Sequence, residues 1–211
     1  MINGLVAIII AYLLGSIPSS YIITRLKTGK DIRKLGGGNA GARNVYREVG
    51  LAAAIPVAVF DIGKGAAAVA IAYWGLEALP VYVMAAGLAA VAGHIWSVYL
   101  KFTGGNGLAT TIGVLSLLMS RELLIILGIM LALTVFTRNP ILSLNIGLLS
   151  LPVSAWFLEK SWLYVIFAIW LIVIMAINFV PIAKAALAGA GSRERLFTEL
   201  LRIKKAGKEK G

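Results

Sequence analysis

INGLVAIIIAYLLGSIPSSYIIT, residues 2–24, holds no Lys, Arg, Asp or Glu, and the first charge on the chain is Arg25. As a helix this run reaches about 34 Å, enough to cross about 30 Å of hydrocarbon. It lacks the basic n-region of a cleavable signal peptide, so it reads as a first membrane helix that stays. The rest of the chain agrees. Of 211 residues 60% are hydrophobic and only 14% are charged, against roughly 25% in a typical soluble domain. Soluble folds are excluded, and the fold class is all-α, a polytopic integral membrane protein.

Further apolar stretches run over residues 51–74, 79–100, 141–158 and 162–183, each bounded by charge, Gly or Pro. Residues 108–136 are long for one span, while Ser120, Arg121 and Glu122 divide them into two short pieces, 108–119 and 123–136. Charge decides between the two. With two pieces, every Lys and Arg except Arg121, Lys160 and the membrane-embedded Lys64 falls on one side; with one span, nine fall on each side. The positive-inside rule therefore predicts seven segments, N-terminus outside and C-terminus cytoplasmic. Residues 1–189 read as a single membrane domain, and 190–211 as a basic cytoplasmic tail. From Ser192 onward the tail is either an amphipathic helix on the anionic inner leaflet or a polar tail without fixed structure.

Zero cysteines and one histidine leave no thiol nucleophile, thiolate-zinc site or His-rich metal centre, so neither metal nor cofactor is expected. The chemistry must come from Arg, Lys, Asn, Asp, hydroxyls, one imidazole and backbone amides. Two Gly-rich stretches are predicted to share the cytoplasmic side: Gly36-Gly37-Gly38-Asn39-Ala40-Gly41-Ala42-Arg43-Asn44, followed by Arg47, and Lys101 through Gly104-Gly105-Asn106-Gly107 to Thr110. Glycine lets amides approach an anion closely, and nearby cations complete the trap, so phosphate is the natural guest. Arg43 and Arg47 follow the first run directly and are placed to close on an anion bidentately. Arg25, Lys27, Lys30, Arg33 and Lys34 read mostly as topology determinants and headgroup contacts.

Formal motif matches fail. Gly36-x-Gly38-x-x-Gly41 has no strand before it, the Gly104 run lacks a P-loop ending, and Tyr99 stands where a His94-x4-Asp dyad needs its acid. Within the membrane, Asp61 and Lys64 share a helical face three residues apart, beside Gly63 and Gly65. They form a structural ion pair or the wall of a cytoplasmic site. His94, seven residues before Lys101, is a packed core histidine or a contact to the second Gly-rich loop.

These residues together resemble the bacterial acyl-phosphate-dependent glycerol-3-phosphate acyltransferases, the PlsY type. Three blocks carry the likeness: Gly15-Ser16-Ile17-Pro18 through Asp31-Ile32-Arg33 to Asn39, Asn44 and Arg47; Asp61-x-x-Lys64-Gly65; and Gly93-His94 through Lys101, Gly104-Gly105 and Gly107 to Thr110. The resemblance implies acyl transfer from acyl phosphate to the 1-hydroxyl of glycerol 3-phosphate, giving lysophosphatidate in a bacterial cytoplasmic membrane. It implies membrane lipids as surroundings, with no CoA, acyl carrier protein or nucleic acid. It also implies that the leaving phosphate takes the hydroxyl proton, so that the protein positions and neutralises. His94, Asp61 and Lys64 are then the expected catalytic group, and the Gly-rich stretches with their Arg, Lys, Asn and Thr hold phosphate. The family usually has Ser at 37, Thr at 43, basic residues at 103 and 106, and Pro at 97, where this chain has Gly37, Arg43, Thr103, Asn106 and Ser97. Its signature after the last span is replaced by Asn178-Phe179-Val180-Pro181. Two other readings stand beside this one: a weakened paralogue that binds acyl or lipid phosphate, and a small transporter using Asp61 and Lys64.

Overall fold

Pro18 decides how the first apolar run folds. It has no N–H to continue a helix, and its ring disfavours helical geometry just before it. The computed structural model, which describes residues 1–138 and 140–190, accordingly shows two helices there, α1 (Ile2–Ser16) and α2 (Ser19–Thr28), separated at Ile17 and Pro18. The single helix expected over 2–24 is thus broken, and α2 runs on through Arg25 and Lys27 to a left-handed cap at Gly29. After a 3-10 turn at Ile32–Lys34 come α3 (Ala42–Glu48), α4 (Leu51–Ala70) with a π turn at Ile71–Gly75, and α5 (Pro80–Ile95). A 3-10 turn at Val98–Leu100 leads to α6 (Leu108–Leu118), then α7 (Ser120–Thr137), α8 (Pro140–Leu148), α9 (Leu151–Glu159) and α10 (Trp162–Ala190). The all-helical expectation holds for the described residues. The tail, 191–211, lies outside them.

Residues 108–136 form two helices, α6 and α7, parted at Met119. Residues 141–158, expected as one span, instead form α8 and α9, bent by 42°. Pro152 opens α9 and cannot donate back to Leu148, which ends α8 there. Among the described residues four helical stretches are long and apolar enough to cross a membrane, Ile2–Thr28 taken across its break, Leu51–Gly75, Pro80–Leu100 and Ser120–Thr137, or five with the bent α8–α9 pair counted as one span. With 11 residues α6 reaches only about 16 Å.

The helices cluster into two compact units, Met1–Ser120 and the remainder from Arg121. In the first, small residues bring backbones together, as membrane helices require in the absence of a hydrophobic drive. Gly4, Ala7, Ala11 and Gly15 are the buried stripe of α1. A Cβ on Gly15 would strike the Ala90 carbonyl of α5, and one on Gly93 the Tyr12 carbonyl of α1. Between α4 and α6, Gly65 and Gly113 play the same part against the carbonyls of Thr110 and Ile62. Ile32, Ala40, Val45, Val57 and Leu100 form a buried cluster that seats the 31–45 segment on α4. In the second unit Arg121 pairs with Glu159 at 2.6 Å, Trp156 packs on Trp162, and Ile126, Leu151, Ala155 and Leu171 are buried.

Candidate functional site

The break between α1 and α2 frees carbonyls inside the membrane, and each must find a donor. Ser97 Oγ donates to the Ser16 carbonyl at 2.6 Å, and Lys64 Nζ to the Ile17 carbonyl at 3.1 Å. Lys64 comes from α4, where Asp61 stands one turn earlier on the same face; their Nζ and Oδ1 are 2.7 Å apart. Both side chains are almost wholly buried, so neither charge is tenable without the other. Asp61 Oδ1 also accepts from Ser19 Oγ at 2.9 Å and lies 3.5 Å from His94 Nδ1 of α5.

The second Gly-rich stretch closes over the imidazole. Gly105 N–H donates to the His94 carbonyl at 3.1 Å, and the Gly104 carbonyl accepts from Ala40 N–H at 3.3 Å. A Cβ on Gly105 would collide with His94 Nε2 and the Ala40 carbonyl, and one on Gly104 with the His94 and Ile95 carbonyls. Ser20 Oγ holds the Ala40 carbonyl at 2.7 Å. What remains is a small, partly open cavity lined by the α1–α2 break, Asp61, Lys64, His94 and the Gly104–Gly105 backbone.

Of the residues expected from the sequence, Asp61, Lys64, His94, Gly104 and Gly105 converge on this cavity. The rest are distributed around it. Gly36 and Gly38 adopt left-handed φ of 53° and 71°, and Gly37 between them is open to solvent. Asn39 packs beside Gly41, the N-cap of α3. Asn44 is buried and tied to backbone, donating to the Ile32 and Leu35 carbonyls and accepting from Gly37 N–H. Arg43 and Arg47 lie one turn apart on an exposed face of α3, where partial desolvation of the Arg43 guanidinium, then the neighbouring Arg47 charge, pulls it below its usual range. Lys101 is exposed, Asn106 half-buried, and Gly107 caps α6 in the left-handed region. Thr110 is buried at the α4–α6 contact, its hydroxyl without a hydrogen-bond partner among the described residues.

The fold adds a partner to each of two residues. Tyr99 stands where a motif acid after His94 would be, and Asp61 reaches the imidazole instead from α4. Arg33, read with the topology determinants, also grips Asp31 through Nε and Nη2 at 3.1 and 2.7 Å. That fork draws the Asp31 carboxyl below the ordinary carboxylate range. Sequence reasoning missed Ser19, Ser20 and Ala40 in the cavity wall and gave Ser16 and Ser97 no role in it. The signal was Pro18, a helix breaker followed by two serines within an apolar run.

The sequence profile described as glycerol-3-phosphate acyltransferase matches residues 5–188. The chain belongs to this family. Glycerol-3-phosphate acyltransferase 1 of Dehalococcoides mccartyi is 37% identical over 198 residues, covering 92% of this chain and 95% of its relative. The solved structure of PlsY, an integral membrane glycerol 3-phosphate acyltransferase, in its glycerol 3-phosphate form is similar with a TM-score of 0.79 at 29% identity, covering 88% of this chain and 92% of that one. Its lysophosphatidic acid form gives 0.76 at 27%, with the same coverage. The family and the apolar helices make the chain a multi-pass membrane protein.

Proposed function

We propose that the chain transfers a fatty acyl group from acyl phosphate to the 1-hydroxyl of glycerol 3-phosphate, forming lysophosphatidate in phospholipid synthesis. The observation that carries this reading is the convergence of Asp61, Lys64 and His94 beside the Gly104–Gly105 backbone, in a member of this family. The hydroxyl oxygen bonds to the acyl carbon, the bond from that carbon to phosphate oxygen breaks, and the hydroxyl proton leaves with the phosphate. An acyl group activated as a mixed anhydride needs neither CoA nor carrier protein, so the protein's work is positioning and charge stabilisation.

Lys64, His94 and Asp61 form the catalytic group. With two acceptors already on Lys64 Nζ, its remaining hydrogen is available to a substrate oxygen. Gly104, Gly105, Asn106, Gly107, Thr110 and Lys101 on one side, and Gly36, Gly37, Gly38, Asn39, Gly41, Arg43, Asn44 and Arg47 on the other, make up the phosphate-binding stretches. Within the first unit Asn3 donates to the Leu76 carbonyl at the end opposite the basic loops, where Tyr73 and Trp74 also lie. Arg25 through Arg47 and Lys101 gather at the other end, which supports placing that end in the cytoplasm, with seven segments, the tail inside and the enzyme in the inner membrane. Impermeant thiol reagents should fail to label a cysteine at position 41 from outside intact cells, and labelling would reverse the orientation.

A second reading has a specific observation behind it: the 3.5 Å approach of Asp61 to His94 Nδ1 orients the ring for base catalysis. The pH profile of kcat separates the two. If phosphate takes the proton, His94→Gln lowers kcat by less than about tenfold and leaves the profile's shape unchanged. A loss of a hundredfold or more, with disappearance of a limb in the imidazole range, would make His94 the base.

A further inference from the structure

The turn that delivers Gly104 and Gly105 to the cavity is unusual in its backbone. Lys101 and Phe102 both sit in the left-handed region, at φ 56° and 59°, and neither is glycine. L side chains take that conformation reluctantly, and it persists only where surrounding groups enforce it. Within the turn, Phe102 N–H reaches the Ser97 carbonyl at 2.8 Å and Thr103 N–H the Leu100 carbonyl at a longer 3.3 Å. From outside, Arg33 Nη1 donates to the Leu100 carbonyl at 3.1 Å and to Thr103 Oγ1 at 3.0 Å, one contact on each flank of the strained pair. The other edge of the guanidinium is fixed on the Asp31 carboxylate, which also caps the 3-10 turn through Arg33 N–H at 3.0 Å, and the Tyr21 ring lies 5.7 Å away.

We propose that Arg33 is a positioning residue: anchored by Asp31, it clamps the Lys101–Phe102 turn from both flanks and thereby holds the Gly104–Gly105 backbone against His94. Every guanidinium nitrogen is engaged in this task, so the residue is not a free cation for lipid headgroups. The inference rests on the acyltransferase reading of the cavity. Lysine at position 33 keeps the charge but cannot bridge carboxylate, carbonyl and hydroxyl at once.

Wild type, Arg33→Gln, Arg33→Lys, Phe102→Gly and the Arg33→Gln/Phe102→Gly double variant, each in lipid nanodiscs, test it. Both Arg33 variants should lose at least about tenfold in kcat/KM, and Phe102→Gly alone should stay within about threefold of wild type. The double variant should recover to within about threefold, because glycine holds a left-handed φ without a clamp. Amide hydrogen exchange over residues 98–105 should quicken in Arg33→Gln and slow again in the double variant. That readout needs no turnover, so it judges the clamp even if wild type transfers no acyl group. Full activity in Arg33→Lys, unchanged exchange in Arg33→Gln, or no recovery in the double variant would overturn the proposal.

Discussion

Replacing Lys64 by Met removes one charge of a pair whose side chains are 2% and 1% exposed. Asp61 keeps its bond from Ser19 Oγ but loses the 2.7 Å ammonium contact, leaving a carboxylate in the membrane interior. The Ile17 carbonyl loses Lys64 as well, although Ser19 N–H still reaches it at 3.1 Å, so the uncompensated charge dominates. Breaking such a pair costs about 3–5 kcal/mol. At roughly 2–4 °C per kcal/mol for a chain of this size, the melting temperature should fall by about 6–20 °C. Intrinsic fluorescence in detergent reports it, with Trp96 two residues from His94. The Asp61→Asn/Lys64→Met double variant, which buries no net charge, should regain at least half of the loss. A single variant no less stable than Lys27→Ala, or a double variant worse than both singles together, would show that the buried charge is not what holds Asp61 and Lys64 together.

Gly105→Ala should lower kcat/KM at least tenfold, about 1.4 kcal/mol, because its methyl meets His94 Nε2 and the Ala40 carbonyl, whereas Gly128→Ala, with open space around it, should change activity less than twofold. Asp31 ionises below its ordinary range in the folded state, so the stability from its Arg33 pair is complete above the unfolded value and is lost as pH falls through the folded one. Thermal melts of Asp31→Asn should therefore lie below wild type at neutral pH and converge with it in acid, and a constant offset would show that the ion pair is not the cause. Arg43→Ala should raise KM for glycerol 3-phosphate at least tenfold, while Lys27→Ala should not, and equal effects would deny Arg43 a special place at the phosphate.

The membrane class was legible from residues 2–24 because twenty-three uncharged, mostly apolar residues have few other fates. The Asp61 and Lys64 pairing was legible because positions three apart share a helical face. The Asp61–His94 approach was not, since it joins two helices that are each set by separate small-residue contacts, α5 on α1 across Gly15 and Gly93 and α4 on α6 across Gly65 and Gly113. Pro18 and Pro152 announced both helix breaks, but hydropathy averaged over a span conceals a break that leaves composition unchanged. Arg33 looked like one cation among five. The clue to its real partner was Asp31 two residues earlier, while its hold on Leu100 and Thr103 spans about seventy positions and needs the fold to be seen.

Acyl transfer from acyl phosphate to glycerol 3-phosphate releases one inorganic phosphate for each lysophosphatidate formed, so product stoichiometry measures it without ambiguity. Purified protein in nanodiscs would receive labelled glycerol 3-phosphate with either acyl phosphate or acyl-CoA, and lysophosphatidate and inorganic phosphate would be counted together. Acyl phosphate should yield the two products one to one, acyl-CoA should yield no lysophosphatidate, and Lys64→Met should abolish the transfer. Folded wild-type protein that forms no lysophosphatidate from acyl phosphate, or that uses acyl-CoA equally well, would show that this is not an acyl-phosphate-dependent transferase.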